Sequence, residues 1–254
     1  MAPRHGSAVI DPGARLADGV RVGPHCVIEG DVTVGPGTVL QPGTVLLDGA
    51  RVGANCFLGP YATVGGLPMD RDFAGEASTA VLEDDVELRD FASVHRATGA
   101  GAATVVGAGT IVMNYAHVTH NVQVGRNVVL TTHVQLGGHV QVGDRSVLGA
   151  SVMVHQFCRV GAGAMVGAGS GVRKDVLPYL IASGFPVRHF RLNRVGLRRA
   201  GVPPETVRAL EGAARALRRG DADTLAAADR SLPEVARLLD FGRDSRRGVA
   251  AFAR

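Results

Sequence analysis

The sequence predicts a mainly β protein: a parallel β-helix of short stacked strands, followed by a small α-helical C-terminal domain. Three observations carry this. Counting by six from Ile10 to Val172 visits 28 positions, of which 25 are Ile, Leu or Val; the exceptions are Asp70, Glu76 and Ala100. Two residues before the aliphatic position stands a small or β-branched residue, as at Ala14, Val20, Cys26, Val32 and Thr38, and again at Val122, Val128, Val134 and Val140. Side chains two apart along a strand face the same way, so each repeat is a short strand with two inward side chains. Glycine often follows the aliphatic residue, as at Gly23, Gly35, Gly53, Gly125 and Gly143, where the chain has to turn a corner. A helical period of about 3.6 cannot hold register with a strict six over this length, so the strands form a solenoid.

Composition agrees with this reading. The 254-residue chain is 46% hydrophobic but only 4% aromatic and has no Trp, which suits thin layers of Val, Leu, Ile and Ala. Its 35 glycines follow no collagen-like triplet. No apolar run approaches the ~18 residues of a membrane helix, and residues 1–5 open no charged-then-apolar leader. A soluble, cytoplasmic protein without stable membrane insertion is expected. Cys26, Cys56 and Cys158 all fall on the inward register, and are expected to be reduced packing residues.

In chain order, the coil is expected over residues 1–187, with two excursions that keep the six-residue phase. The first, 65–80 (GGLPMDRDFAGEASTA), carries turn residues and charges; the second, 96–103 (RATGAGAA), is rich in Gly and Ala. The regular pattern ends near Val176, and residues 188–254 are expected to form the helical domain. There Pro203, Pro204 and Glu205 suit a helix start. Val207, Leu210, Ala214 and Leu217 mark one helical face ending before Gly220. Further helices are expected around 224–229, 233–241 and 243–252.

Charge is unevenly spread. Residues 188–254 carry 15 Arg against 8 acidic residues, whereas the first 187 carry 12 basic against 15 acidic. A basic region of this kind suits an acidic protein partner or a phosphate-bearing substrate. Its cations are not interleaved with aromatics, which argues against nucleic acid.

Such six-residue repeats resemble those of the hexapeptide-repeat transferases, whose left-handed coil has three flat sides and thus about 18 residues per turn. Residues 18 apart then stack on adjacent turns, about 4.8 Å apart. Five of the nine histidines, His117, His120, His133, His139 and His155, lie on the later turns. The stacking puts His120 beside Gly138, Gly138 beside Gln156, and Asn121 beside His139, none on the inward aliphatic register. A neutral imidazole can take a proton from an attacking hydroxyl. A nearby backbone N–H can stabilise the oxyanion of acyl transfer. Polar decoration of the coil surface explains one histidine more readily than it explains the group. Metal is the weaker reading, because His117 and His120 lack the spacing of the zinc-binding hexapeptide coils.

The segments MNYAHVTHNVQVG (113–125), VHQFCRVGAGAMVGAGSGV (154–172), DRDFAGE (70–76), ASVHRAT (92–98), LGGHVQV (136–142) and GLRRAG (196–201), with the 198–252 helices, resemble the UDP-N-acetylglucosamine acyltransferases of lipid A biosynthesis. The resemblance covers nearly the whole chain. It implies a homotrimer with sites between neighbouring coils, and transfer of a 3-hydroxyacyl chain from acyl carrier protein to the sugar 3-hydroxyl, with no cofactor and no metal. It matches His120 to the general base and Gly138 to the oxyanion-stabilising backbone. Asp70, His117, His139, Gln156, Asn193 and Arg199 match positions that contact the UDP-sugar or shape its cleft, and His95 and His155 match further cleft histidines. The basic C-terminal region would meet the acidic acyl carrier protein.

Some positions depart from the family pattern. Asn121, in the substrate-binding set, stands where the family usually has Asp; an amide can orient an imidazole but carries no charge. Asp72 replaces a usual lysine, and Val195 and Ala200 replace a usual acid and a usual arginine. These departures keep two alternatives open: N-acylation of a 3-amino UDP-sugar, and a scaffold that has lost the chemistry. Ala168 stands where a glycine often floors the acyl groove, and its extra methyl leads us to expect a shorter chain, roughly ten to twelve carbons.

Overall fold

The computed structural model describes residues 4–225 and 227–253. Residues 1–3, 226 and 254 lie outside the described residues, and with them part of the segment read for a leader and one residue of the helix expected around 224–229.

Each repeat contributes one short strand to one of three sheets, here faces one, two and three in chain order. Face one has nine strands from Val9–Ile10 to Gly171–Val172; face two has eight from Arg15–Leu16 to Arg159–Val160; face three has ten from Arg21–Val22 to Arg188–Leu192. Pairing along the coil is parallel, with Val27 opposite Val45, so one turn is 18 residues. Across the first excursion Val64 pairs with Val94, 30 residues on. Across the second Leu82 pairs with Val106, 24 residues on. The excursions thus add whole repeats, which is why the phase survives them. The three non-aliphatic positions of the six-residue count, Asp70, Glu76 and Ala100, all lie inside them.

Both excursions are shorter than the sequence suggested. The strands Thr63–Gly66 and Thr79–Leu82 reach into the first, leaving 67–78 as loop; Gly66 pairs with His95 past a bulge. Ala103 belongs to the strand Ala103–Val106, so the second loop is 96–102. Backbone hydrogen bonding to the adjacent turn extends these strands, and Thr79–Leu82 and Ala103–Val106 keep the inward alternation, with Ala80, Leu82, Thr104 and Val106 buried.

The aliphatic register is buried from Val22 to Val172, and the three cysteines are buried and free. Burial pushes all three thiols up from their ordinary value, so they stay protonated packing groups. The corner glycines answer to crowding rather than to φ. A Cβ on Gly35 would lie 2.5 Å from the carbonyl carbon of Gly53 on the next turn. The left-handed residue comes two positions later, as at Gly37 (φ 73°), Asn55 (φ 55°), Asn121 (φ 60°) and His139 (φ 59°).

At the coil's end, Leu180–Ser183 continues face three in parallel, and Arg188–Leu192 folds back on it antiparallel. Residues 188–192 are therefore strand, and the helices begin later: α1 (Arg194–Arg199), α2 (Pro204–Arg219), α3 (Ala227–Arg230) and α4 (Pro233–Arg243). α2 starts on its proline with Glu205 in the first turn and ends at left-handed Gly220 (φ 77°). Its most buried residues are Thr206, Ala209, Leu210, Ala213 and Ala216, with Val207, Ala214 and Leu217 packed at the margin. The helix expected around 224–229 is a 3-10 turn, Ala222–Thr224, followed by the single turn of α3. The helix expected at 243–252 does not form. Past the end of α4 the chain bends at 246–247 and then pairs with the end of the coil, bridging Val249 to Asp175 and Phe252 to His189. These main-chain pairings, entered through left-handed Gly248 (φ 74°), displace the helix. Among the described residues no helix is long and apolar enough to cross a membrane.

Candidate active site

The site is built on the corner between faces one and two, just past the strands His117–Val118, Gln135–Leu136 and Met153–Val154. Successive turns stack there as the 18-residue spacing predicts: the His139 N–H donates to the His120 carbonyl at 3.1 Å, and the Phe157 N–H to the Gly138 carbonyl at 3.0 Å. A Cβ on Gly138 would stand 2.5 Å from both Cε1 and Nε2 of His120, so the imidazole lies against bare backbone. Only glycine leaves room for it.

His120 is almost buried, at 8% exposure. Its Nδ1 lies 3.0 Å from Asn121 Oδ1 and 3.5 Å from Asp70 Oδ2. The tautomer follows from the second excursion. The Thr98 N–H donates to Asn121 Oδ1 at 3.0 Å, and Asn121 Nδ2 donates to the Thr98 carbonyl at 2.9 Å. Flipping the amide would lose both bonds, so the oxygen must face His120. Nδ1 then carries the proton, and the lone pair sits on Nε2, facing Gly138.

Asp70 reaches this corner from the first excursion. The Asp72 N–H, donating to it at 3.2 Å, holds the carboxyl below its usual range, and the imidazoles of His120 and His139 act in the same direction. His139 stands edge-on to His120 with ring centres 5.3 Å apart. Burial lowers its pKa first, and His120 lowers it further. Asp70, His120 and His139 offer donor atoms within 4.8 Å of one another. The nitrogen of His120 that faces Asp70 is, however, protonated, so the three are arranged for proton transfer and not as a ready set of metal lone pairs.

His117 points from face one beside this corner. Its Nδ1 lies 2.7 Å from Ser93 Oγ, and its ring meets His95 edge-on at 4.8 Å. Burial, with His95 adding, pushes His117 down to about 4, so it is neutral, and its buried Nε2 has no partner. His95 is itself held by the Leu67 carbonyl at 2.7 Å. Above His117 a groove of about 410 Å³ climbs face one between Leu136, Met153, His155 and Val172 to the ring of Phe185. His155 and Gln156 are exposed, and Arg247 from the C-terminal segment lies 3.2 Å from His155 Nδ1.

Three matched residues are not brought to His120 within one chain. Asn193 caps α1 by accepting from the Gly196 N–H and donates to the Gly163 carbonyl, which places it at the corner between faces two and three. Arg199, in the last turn of α1, belongs to the same edge. Ala168 is exposed at the corner between faces three and one and does not line the groove of His117. Sequence reasoning also missed contributors. Thr98 acts through its backbone, which leaves no residue signature, and Ser93 and Arg247 have neighbours that only the folded chain supplies.

Comparison with known proteins agrees with this geometry. A family model described as UDP N-acetylglucosamine O-acyltransferase, domain 2, matches residues 175–250, and one for the bacterial transferase hexapeptide matches residues 31–66. The acyl-[acyl-carrier-protein]–UDP-N-acetylglucosamine O-acyltransferase of Alkalilimnicola ehrlichii is 39% identical over 95% of this chain and 96% of that relative. The solved UDP-N-acetylglucosamine acyltransferase of Francisella novicida superposes with a TM-score of 0.92 at 31% identity, over 98% of this chain and 94% of that one. That of Campylobacter jejuni gives 0.92 at 29% identity, over 99% and 100%. On these grounds the chain belongs to the acyl-[acyl-carrier-protein]–UDP-N-acetylglucosamine O-acyltransferase family, with its left-handed β-helix and helical C-terminal region.

Proposed function

We propose that this chain transfers a 3-hydroxyacyl group from an acyl carrier protein thioester to the 3-hydroxyl of UDP-N-acetylglucosamine, the first step of lipid A biosynthesis, with His120 as general base. The observation that carries this is the His120 ring, its Nδ1–H held by Asn121 and its Nε2 against Gly138. Nε2 takes the proton of the sugar hydroxyl as its oxygen attacks the thioester carbonyl. The Gly138 N–H stabilises the oxyanion of the tetrahedral intermediate. Collapse breaks the carbon–sulfur bond, and the His120 imidazolium returns its proton to the departing thiolate.

The other matched residues take places around this step. Asp70, Asn121, His139 and Gln156 border the sugar at the His120 corner, and the unpartnered Nε2 of His117 is available to a substrate polar group. His95 and His155 shape the cleft. Asn193 and Arg199 stand on another edge of the coil, which supports a homotrimer in which that edge of one chain completes the His120 corner of the next. Ala168, on the remaining corner of the coil, would be the acyl-chain ruler. The Arg-rich residues 188–254 offer acidic acyl carrier protein its docking surface. A cytoplasmic location and independence from cofactor and metal complete the reading.

The test is turnover with a chain-length series of 3-hydroxyacyl carrier protein thioesters, offered UDP-N-acetylglucosamine and its 3-amino analogue side by side. O-acylation with an optimum of roughly ten to twelve carbons is expected. An optimum at fourteen or above overturns the Ala168 assignment, amine-only transfer overturns the acceptor, and carrier binding without turnover overturns the enzyme.

A further inference from the structure

Taking up a proton at Nε2 makes His120 a cation whose charge extends to Nδ1, and something must stabilise that charge. Asn121 holds Nδ1 at 3.0 Å, but its amide has no charge to give. A carboxylate oxygen of Asp70 stands 3.5 Å from the same nitrogen. We propose that Asp70, and not residue 121, supplies the negative charge that stabilises protonated His120, while Asn121 locked on the Thr98 backbone fixes the ring's tautomer. Asp70 and Asn121 are then positioning residues acting through the base, a division of labour between charge and orientation across two excursions.

The two excursions are fastened together so that both groups arrive at once. Glu76 of the first accepts from the Gly99 N–H of the second at 2.6 Å, and from the Ala74 N–H of its own loop at 2.8 Å. The Arg96 guanidinium stacks over Phe73 at 5.4 Å. The Asn121 N–H is itself held by Thr104 Oγ1 at 2.8 Å, in the strand that follows the second excursion. The titratable groups facing His120 are Asp70 from the first loop and His139 from the next turn; Asn121, Thr98 and Gly138 are neutral. Burial, and then His120, push the His139 pKa down against the opposing pull of Asp70, so the balance at His139 favours the neutral ring.

This assignment rests on His120 being the base, and moving the carboxylate tests it separately. Asp70→Asn should lower kcat roughly 10- to 100-fold. It should also move the acidic limb of kcat/KM to lower pH by about one unit, because the imidazolium loses its counter-charge. The His120 Cε1–H titration followed by NMR should shift the same way without any need for turnover. Asp70→Glu keeps the charge and should keep the limb. The double variant D70N/N121D, which puts a carboxylate back on Nδ1 from the other side, should recover most of kcat and return the limb. If Asp70→Asn raises KM alone, with limb and NMR titration unmoved, or if the double variant recovers nothing, Asp70 is a substrate contact only and the proposal is overturned. Either result combined with an inactive His120→Ala variant leaves the base assignment standing; an active His120→Ala removes both.

Discussion

At the corner by which the chain enters face one, the left-handed positions of successive turns carry Tyr61, Phe91, Tyr115 and His133. Their rings stack at 5.1, 5.1 and 5.0 Å, within 13° of parallel. At the corner by which it leaves face one, the equivalent positions carry Asn121, His139 and Phe157, of which only the last two stack, at 4.6 Å. Backbone and repeat are the same at both. The first corner is built by the repeat alone: Phe91 and Tyr115 each have a ring on both sides, and Tyr61 and His133 end the ladder. The second is met from outside, where loops 67–78 and 96–102 bring Asp70 and the Thr98 backbone against His120 and Asn121. In a coil that repeats, chemistry arises where non-repeating sequence is laid against a repeating corner.

Substitutions at the two corners should therefore differ in kind. Short of removing the base itself, the largest effect is expected at Gly138. An added methyl meets the His120 ring at 2.5 Å, and Gly138→Ala should lower kcat about 10²- to 10³-fold while the melting temperature barely moves. Next in size is a pH effect away from both corners. His189 is fully buried, accepts from the Leu177 N–H at 2.9 Å, and is pushed by burial down to about 4 from 6.5. It stays neutral in the fold but protonates near 6.5 in the unfolded chain. Stability should thus be flat above about pH 6.5 and fall as the pH drops toward 4, with a loss of roughly 2 kcal/mol from this group at pH 5. Denaturant unfolding at pH 8 and pH 5 checks this, and His189→Gln should flatten the difference. A smaller effect is expected in the aromatic ladder, where Tyr115→Ala should cost about 1 kcal/mol of stability and leave turnover within twofold. The smallest is none: treatment with EDTA should leave turnover unchanged, because the base works through a protonated Nδ1 and an Asn121 acceptor. A fall that added zinc restores would make Asp70, His120 and His139 metal ligands instead.

Much of this was legible in the sequence. The aliphatic six-fold count defines the coil, its three exceptions fall inside the two loops, and the 18-residue turn places Gly138 against His120. The loops' interior was not legible. No periodicity tells how far Asp70 travels across 67–78, and the decisive bonds to Asn121 come from the Thr98 backbone. Arg188–Leu192 was missed for a different reason. Its buried His189 and Leu192 sit among exposed arginines, and the charge of the segment hid a strand whose partner, Leu180–Ser183, is just upstream. The end of the chain failed for a third reason: residues 243–252 have helix-forming composition, but main-chain pairing with Asp175 and His189 outweighs it.

The most direct test of the central claim is His120→Ala assayed with 3-hydroxyacyl carrier protein and UDP-N-acetylglucosamine, beside a melting curve of the same sample. Turnover should fall at least about a thousandfold with the unfolding transition unchanged. A variant that melts normally and keeps turnover within tenfold of the parent would contradict the account.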